Sequence, residues 1–139
     1  MIVGSACSGS DEIDEESVIN IGTSGPGTCL QVEDDVGALL TELPVVECSV
    51  PHTHEIFAVV LSQETVYPGF DALESAAQTQ CLTPFEDYVG ISVFDSSLFY
   101  SWLVPTLTSW DKEDDRELVC VLGNGDGAPL VGSVKGTGI

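Results

Sequence analysis

The placement of five cysteines constrains the fold of this chain more than any other feature of its sequence. They are Cys7, Cys29, Cys48, Cys81 and Cys120. None forms a Cys-x-x-Cys pair, so the short-spaced zinc and thioredoxin patterns are absent. The last four are widely separated in an acidic chain poor in lysine, which is typical of two disulfides formed in an oxidising compartment. Four cysteines allow three pairings, and spacing alone does not choose among them.

The strongly negative net charge of the chain disfavours some classes of binding partner. Asp and Glu total 23 against three Lys and Arg, for a formal net charge of −20 over 139 residues. Such a surface repels phosphate backbones and anionic lipids, so we expect no nucleic-acid partner and membrane contact only through an N-terminal anchor. Self-repulsion also destabilises the compact state, which makes covalent cross-links useful. No cofactor is predicted.

The first 26 residues are predicted to form an acidic tether rich in Gly and Ser. Small residues leading into Cys7, followed by Ser-Gly-Ser, resemble the end of a bacterial lipoprotein leader and make Cys7 a candidate lipid anchor. Gly4 stands where such leaders usually have an aliphatic residue, and the alternative is an inert, unpaired thiol. The residues before Cys7 lack the hydrophobic region of a signal peptide. If the protein is exported, as disulfides suggest, we therefore expect that its leader peptide has been removed.

Residues 27–139 are predicted to form one α+β domain: a small, mainly antiparallel sheet with one main helix packed on a face. A helix is predicted over residues 70–82 from apolar residues spaced at i, i+3, i+7 and i+11. A second short helical stretch opens at Pro84 and ends at Gly90. Strands are predicted at residues 28–32, 44–48, 55–62, 118–122 and 130–135, with 55–62 at the centre.

Three segments complete this prediction. Residues 97–104 fit a helix or a strand, and residues 33–43 fit a loop or a helical turn. Pro105 is predicted to start a loop that runs to Trp110. Residues 123–127 are predicted to form a hairpin turn, because several of these positions tolerate positive φ.

A set of ordered motifs resembles the septum-formation family of actinobacterial envelope proteins over roughly residues 26–136. The motifs are Gly27-Thr-Cys29-Leu30, Val46-Glu-Cys48-Ser-Val-Pro51-His52-Thr-His54-Glu55-Ile-Phe57-Ala, Tyr67-Pro-Gly69, Cys81, Phe85-Glu-Asp-Tyr88-Val-Gly90, Pro105, Trp110, Asp115-Arg116 and Val119-Cys120-Val121. The resemblance implies the pairing Cys29–Cys48 and Cys81–Cys120. It also implies an extracytoplasmic domain, at the cell surface or secreted, and such domains are often tethered by a membrane helix or a lipid. The resemblance implies no catalytic mechanism. One departure is Asp114, where the family usually has a glycine turn.

The two histidines are the first candidates for chemistry. On an extended backbone His52 and His54 project to one side and could share a metal, but a zinc site needs a third ligand. We favour a structural role, in which His52 bonds the backbone of the turn set by Pro51 and Glu55 pairs with Arg116 or with turn amides. Trp110 is expected to cover the edge of the core.

Other chemistry receives less support from the sequence. The acidic run of residues 111–117 is dense enough for calcium, but Arg116 stands where an EF-hand requires glycine. Ser133 lies in a sequence one residue short of a nucleophile elbow. The sequence therefore predicts a non-enzymatic envelope module, possessing no catalytic residues, that contacts an envelope or divisome protein or a cell-wall component. The alternative is a metal-binding enzyme or adhesion module that uses His52 and His54 or residues 111–117.

Overall fold

The computed structural model describes residues 18–20, 25–32 and 42–139. Six strands and three α-helices lie in this part of the chain, and a 3₁₀ turn at Val93–Asp95 precedes the fifth strand. In order they are β1 (Val18–Asn20), β2 (Cys29–Leu30), β3 (Glu42–Val46), β4 (His54–Leu61), α1 (Phe70–Gln80), α2 (Leu82–Val89), β5 (Leu98–Leu103), α3 (Leu107–Glu113) and β6 (Glu117–Asn124). Within these residues, no helix combines the length and apolar character needed to cross a membrane.

The strands form one sheet in the order β1-β3-β2-β4-β6-β5, and every neighbouring pair is antiparallel. The predicted α+β class, with a small antiparallel sheet, is confirmed, and so is the central position of β4. β4 is rich in β-branched and aromatic residues, which suit a strand buried on both faces. β1 lies inside the segment predicted to be a tether, so three residues of that segment pair with the sheet.

A bulge in β4 sets which side chains face the helices. The pairing with β6 shifts register between Ile56 and Ala58, which leaves Phe57 as an extra residue. Phe57 and Ala58 therefore both belong to the core under the helices, whereas Ile56 and Val59 lie in the core on the opposite face. Both faces of the central strand are consequently buried.

The two consecutive helices α1 and α2 are predicted well by the sequence. α1 buries Leu73 and Ala77 against the sheet, and Cys81 follows it with no exposed surface. Gly90 ends α2 with a φ of 101°, a left-handed conformation that favours glycine. These helices cover the face of the sheet that carries the larger hydrophobic core.

The segment after Pro105 differs from the predicted loop. Residues 97–104 form strand β5, and a helix, α3, then begins after Thr106. The Thr106 hydroxyl accepts from the backbone N–H of Ser109, and the Ser109 hydroxyl accepts from that of Thr106. This reciprocal cap satisfies two amides that would otherwise lack partners. α3 ends at Asp114, whose φ of 55° is the conformation that a glycine there would favour.

The predicted strand at residues 130–135 is wrong. Leu130 makes an isolated bridge with His52, and no ladder continues beyond it. Gly132, inside the predicted strand, has a φ of 83°, which is incompatible with a regular strand. The segment instead passes over the helix-covered end of β4, where it bonds to Glu55.

Candidate functional site

Two disulfides staple the fold, and they differ in access to solvent. Cys29–Cys48 joins β2 to the turn after β3, with Cα atoms 5.3 Å apart. Cys81–Cys120 joins the end of α1 to the middle of β6, with Cα atoms 5.8 Å apart. The pairing implied by the family resemblance is confirmed. Cys81 and Cys120 are fully buried and Cys29 nearly so, whereas Cys48 is half-buried.

Glu55 is the buried centre of a polar cluster, which we define as Glu55, Tyr88, the exposed residue Ser133 and the amide of Val134. The Glu55 side chain is 0% exposed. Its Oε2 accepts hydrogen bonds from the Tyr88 hydroxyl and, at 2.6 Å, from the Ser133 hydroxyl. Its Oε1 accepts from the Val134 N–H at 3.1 Å. Burying a carboxylate is costly unless donors surround it, and these three donors offset that cost.

Tyr88 acts in this cluster as a donor rather than as a base. Burial, followed by the hydrogen bond to Glu55, raises the pKa of its phenol to about 12. The phenol therefore keeps its proton at neutral pH and holds Glu55 to α2. Gly136 N–H also donates to the Tyr88 carbonyl, at 2.8 Å, which ties the C-terminal segment to the same place.

His52 lies beside this cluster and is fully buried. Its Nδ1 is 2.7 Å from the carbonyl oxygen of Val50, the residue before Pro51, and this is the backbone hydrogen bond predicted for it. Its backbone exchanges two hydrogen bonds with Leu130. Its Nε2 is buried and has no hydrogen-bond partner.

The structure separates the two histidines. His54 Nδ1 lies 2.9 Å from the Thr53 hydroxyl, and its ring packs edge-on against Phe99. Among the described residues, the group with metal-ligand chemistry is Cys29, His52 and Glu55, whose ligand atoms lie within 4.8 Å of one another. His54 is not in this group. While Cys29 is bonded to Cys48, two ordinary ligands remain, one fewer than the three that zinc enzymes use.

The predicted pairing of Glu55 with Arg116 is wrong, because the sheet register places them far apart. Glu55 pairs with Leu122 near one end of β6, whereas Arg116 precedes the other end. Six residues of strand correspond to roughly 20 Å. Arg116 instead lies over the Trp110 ring, 3.8 Å from its centroid, and donates to two backbone carbonyls at 3.1 Å. Its ion pair, with the exposed Asp114, is 3.4 Å long.

We expect Arg116→Ala to lower the free energy of unfolding by about 1–2 kcal/mol, because it removes a cation–π contact and two hydrogen bonds. Thermal unfolding followed by Trp fluorescence measures this loss, since Trp110 is 4% exposed under the guanidinium. Arg116→Lys is the matched control: it keeps the charge but not the planar stacking, so it should recover only part of the stability. An unchanged melting temperature in Arg116→Ala would contradict this role.

The acidic run considered as an alternative calcium site is exposed over residues 111–114, and its last part is engaged within the fold. The Asp115 carboxylate accepts from the Ser109 hydroxyl and from the Glu117 N–H, at 3.0 and 3.1 Å. No metal-ligating group forms from this run within the described residues. Glu117 has one buried carboxylate oxygen without a partner, and burial, followed by the charge of Asp115, raises its pKa.

We expect Glu117→Gln to stabilise the protein at neutral pH. Because the folded-state pKa of Glu117 is raised, the folded protein retains a proton that the unfolded chain releases, so stability falls as pH rises from about 4.5. A glutamine avoids this loss, and the advantage should disappear below about pH 4. Melting temperatures across this range test the effect. Glu113→Gln removes the same charge from an exposed position of α3 and should stabilise less; an equal gain would point to net charge alone.

Sequence reasoning found Glu55 but missed the donors that surround it. The sequence predicts Tyr88 only as a residue of the second helical stretch, and Ser133 only as a serine that falls short of a nucleophile elbow. Ser133 is 78 residues from Glu55 along the chain and Tyr88 is 33 residues away. No local sequence signal connects positions so far apart.

The other residues singled out in the sequence lie apart from this cluster. Pro51 lies exposed in its turn, Trp110 is buried in the core, and Cys7 falls outside the described residues.

The fold and site define a disulfide-stapled α+β domain whose buried carboxylate organises its C-terminal segment. The family model described as septum formation matches residues 12–120, and the chain belongs to this family. Comparisons with curated proteins and with solved structures gave no match. The family and the two disulfides are consistent with an extracytoplasmic location.

Proposed function

We propose that this chain is a non-enzymatic module of the cell envelope that acts in septum formation through contacts with an envelope or divisome protein or with the cell wall. The family supplies the link to septum formation. We infer that the domain acts by contact rather than by catalysis from the way its buried polar side chains are paired with one another.

The observation that carries the proposal is the environment of Glu55. It is fully buried, and its three donors belong to α2 and to the C-terminal segment. A carboxylate in this position stabilises the fold and has no face open to a substrate. Ser133 directs its hydroxyl at this buried carboxylate rather than at a histidine, so it does not form the Ser–His pair typical of serine nucleophiles.

The surface is suited to binding rather than chemistry. Phe94 and Val66 are 84% and 75% exposed, the two most exposed of the large apolar side chains among the described residues. Apolar side chains exposed in this way are available for a protein contact, and the net charge of −20 favours a partner with basic or neutral groups.

The test is to follow a fusion of the full chain to a fluorescent protein that matures in oxidising compartments. Enrichment at the septum, together with delayed or misplaced septa after depletion of the chain, would support the proposal. Uniform distribution with normal septation would contradict the septal role.

A second arm tests the non-enzymatic part. Ser133→Ala removes a single hydroxyl from an exposed residue, and complementation of the depleted cells should be unaffected. Loss of septation by a Ser133→Ala protein that melts like the wild type would contradict the absence of catalysis. A photo-crosslinker at Phe94 should capture the partner, with Lys112, an exposed polar position, as the control site.

A further inference from the structure

The region around the Cys29–Cys48 disulfide contains side chains that could bind a metal ion, in addition to the disulfide itself. The Cys29 sulfur, a ring nitrogen of His52 and a carboxylate oxygen of Glu55 lie within 4.8 Å of one another, and all three residues are buried. Cys48 adds a second sulfur, bonded directly to the first. These two sulfurs, one nitrogen and one oxygen are the donor types found in tetrahedral zinc sites.

His52 is held in the form that a metal ligand requires. A carbonyl oxygen can only accept, so the contact with Val50 means that Nδ1 donates. In the neutral ring this leaves Nε2 with an open lone pair, and Nε2 is buried without a partner. Metal-bound histidines characteristically donate their other ring N–H to a carbonyl or carboxylate in this way. A buried polar atom without a partner is otherwise unfavourable and calls for an explanation.

Glu55 is oriented in a comparable manner. Tyr88 and Ser133 both donate to Oε2, and the Val134 amide is the donor on Oε1. A carboxylate has about four acceptor positions, so one remains after these three hydrogen bonds. Hydrogen bonds of this kind fix the direction of a ligating carboxylate.

We propose that reduction of the Cys29–Cys48 disulfide converts this region into a Zn²⁺ site formed by Cys29, Cys48, His52 and Glu55. An external dithiol supplies two electrons and two protons: the S–S bond breaks, two thiols form, and the dithiol becomes a disulfide. Zinc then replaces the two thiol protons, which are released to solvent. The inference does not depend on the proposed role in septum formation.

The two disulfides differ in a way that makes this reduction selective. Cys48 is half-buried, whereas Cys81 and Cys120 are 0% exposed. Thiol–disulfide exchange requires access to a sulfur atom, so a dithiol attacks Cys48 before it reaches the second bridge. The core disulfide therefore keeps the domain folded while the site opens.

The test uses the full chain, reduced briefly with dithiothreitol and desalted without oxygen. Titration with Co²⁺, a spectroscopic substitute for zinc, should give a thiolate-to-cobalt absorption band that saturates near one ion per chain and is displaced by Zn²⁺. The oxidised chain should give no such band. Absence of the band after reduction, or equal metal affinity before and after it, would overturn the proposal.

Two variants identify the ligands. His52→Gln should weaken Co²⁺ binding by at least about tenfold, whereas His54→Gln, the matched control outside the group, should bind like the wild type. Equal affinity in both would overturn the role of His52. Because His52→Gln changes a buried side chain, Cys48→Ser provides a second arm: it frees the Cys29 thiol without a reductant. This variant should show a weaker thiolate–cobalt band with no reduction, and a missing band would overturn the site.

Discussion

Replacing Cys81 and Cys120 together by alanine is expected to lower the free energy of unfolding by about 4 kcal/mol. The bridge closes a loop of sequence separation 39 and joins the end of α1 to the middle of β6. Without it, the unfolded chain gains the conformational entropy that the cross-link had removed. Both sulfurs are fully buried, so the alanines also leave unfilled space in the core. Urea denaturation of the variant and the wild type measures the loss.

The other disulfide provides the matched control for this experiment. Cys29–Cys48 has a sequence separation of 19, so the same entropy argument gives about 3 kcal/mol for its removal. Cys48 is half-buried, so less packing is lost there. The Cys29→Ala, Cys48→Ala variant should therefore unfold at higher urea than the first variant. The reverse order would mean that the core under α1 and α2 packs well without its bridge.

The elements that the sequence predicted correctly are those specified by local patterns. α1 follows from apolar residues that recur along one helical face, and Gly90 marks the end of α2 because its φ of 101° favours glycine. β4 follows from a run of β-branched and aromatic residues. In each case the residues that determine the element lie within it or next to it, so no tertiary information is needed.

The C-terminal segment shows where local patterns fail. Residues 130–135 have the composition of a strand, but Val134 N–H bonds to a carboxylate 79 residues earlier in the chain. Contact with Glu55 and the positive φ of Gly132 outweigh the strand propensity of the valines. α3 was missed for a related reason: its start depends on reciprocal bonds between Thr106 and Ser109, a weaker signal than the usual Thr-x-x-Glu box.

The sequence predicts that Glu55 needs a partner but not which residue that partner is. Residue type indicates which side chains could pair, whereas the register of the sheet determines which of them lie close together. With three cations in the chain, opposite charge made Arg116 the natural partner for a buried glutamate. Register decides otherwise, since Glu55 lies opposite Leu122 and Arg116 lies beyond the far end of that strand pair. The disulfide pairing was correct because the family motifs order the cysteines, whereas their spacing alone leaves three pairings open.

Replacing Glu55 by alanine is expected to lower the free energy of unfolding by about 3–5 kcal/mol. The change leaves the Tyr88 hydroxyl and the Val134 amide without their acceptor, and both residues are at most 9% exposed. Because Gly136 and Gly138 donate to the carbonyls of Tyr88 and Val89, the whole C-terminal segment should loosen. Hydrogen exchange of these two glycine amides should therefore accelerate, together with a fall in melting temperature.

Single deletions of the donors separate the cluster from a general loss of core packing. Tyr88→Phe removes a buried donor but keeps the aromatic ring, so it should cost about 1–2 kcal/mol. Ser133→Ala acts at an exposed position, where water can replace the hydroxyl, and should cost less. In Tyr88→Phe the glycine amides should still exchange more slowly than in Glu55→Ala, because the Val134 N–H keeps its acceptor. If Glu55→Ala lowered the melting temperature without affecting those amides, Glu55 would stabilise the core but would not hold the C-terminal segment in place.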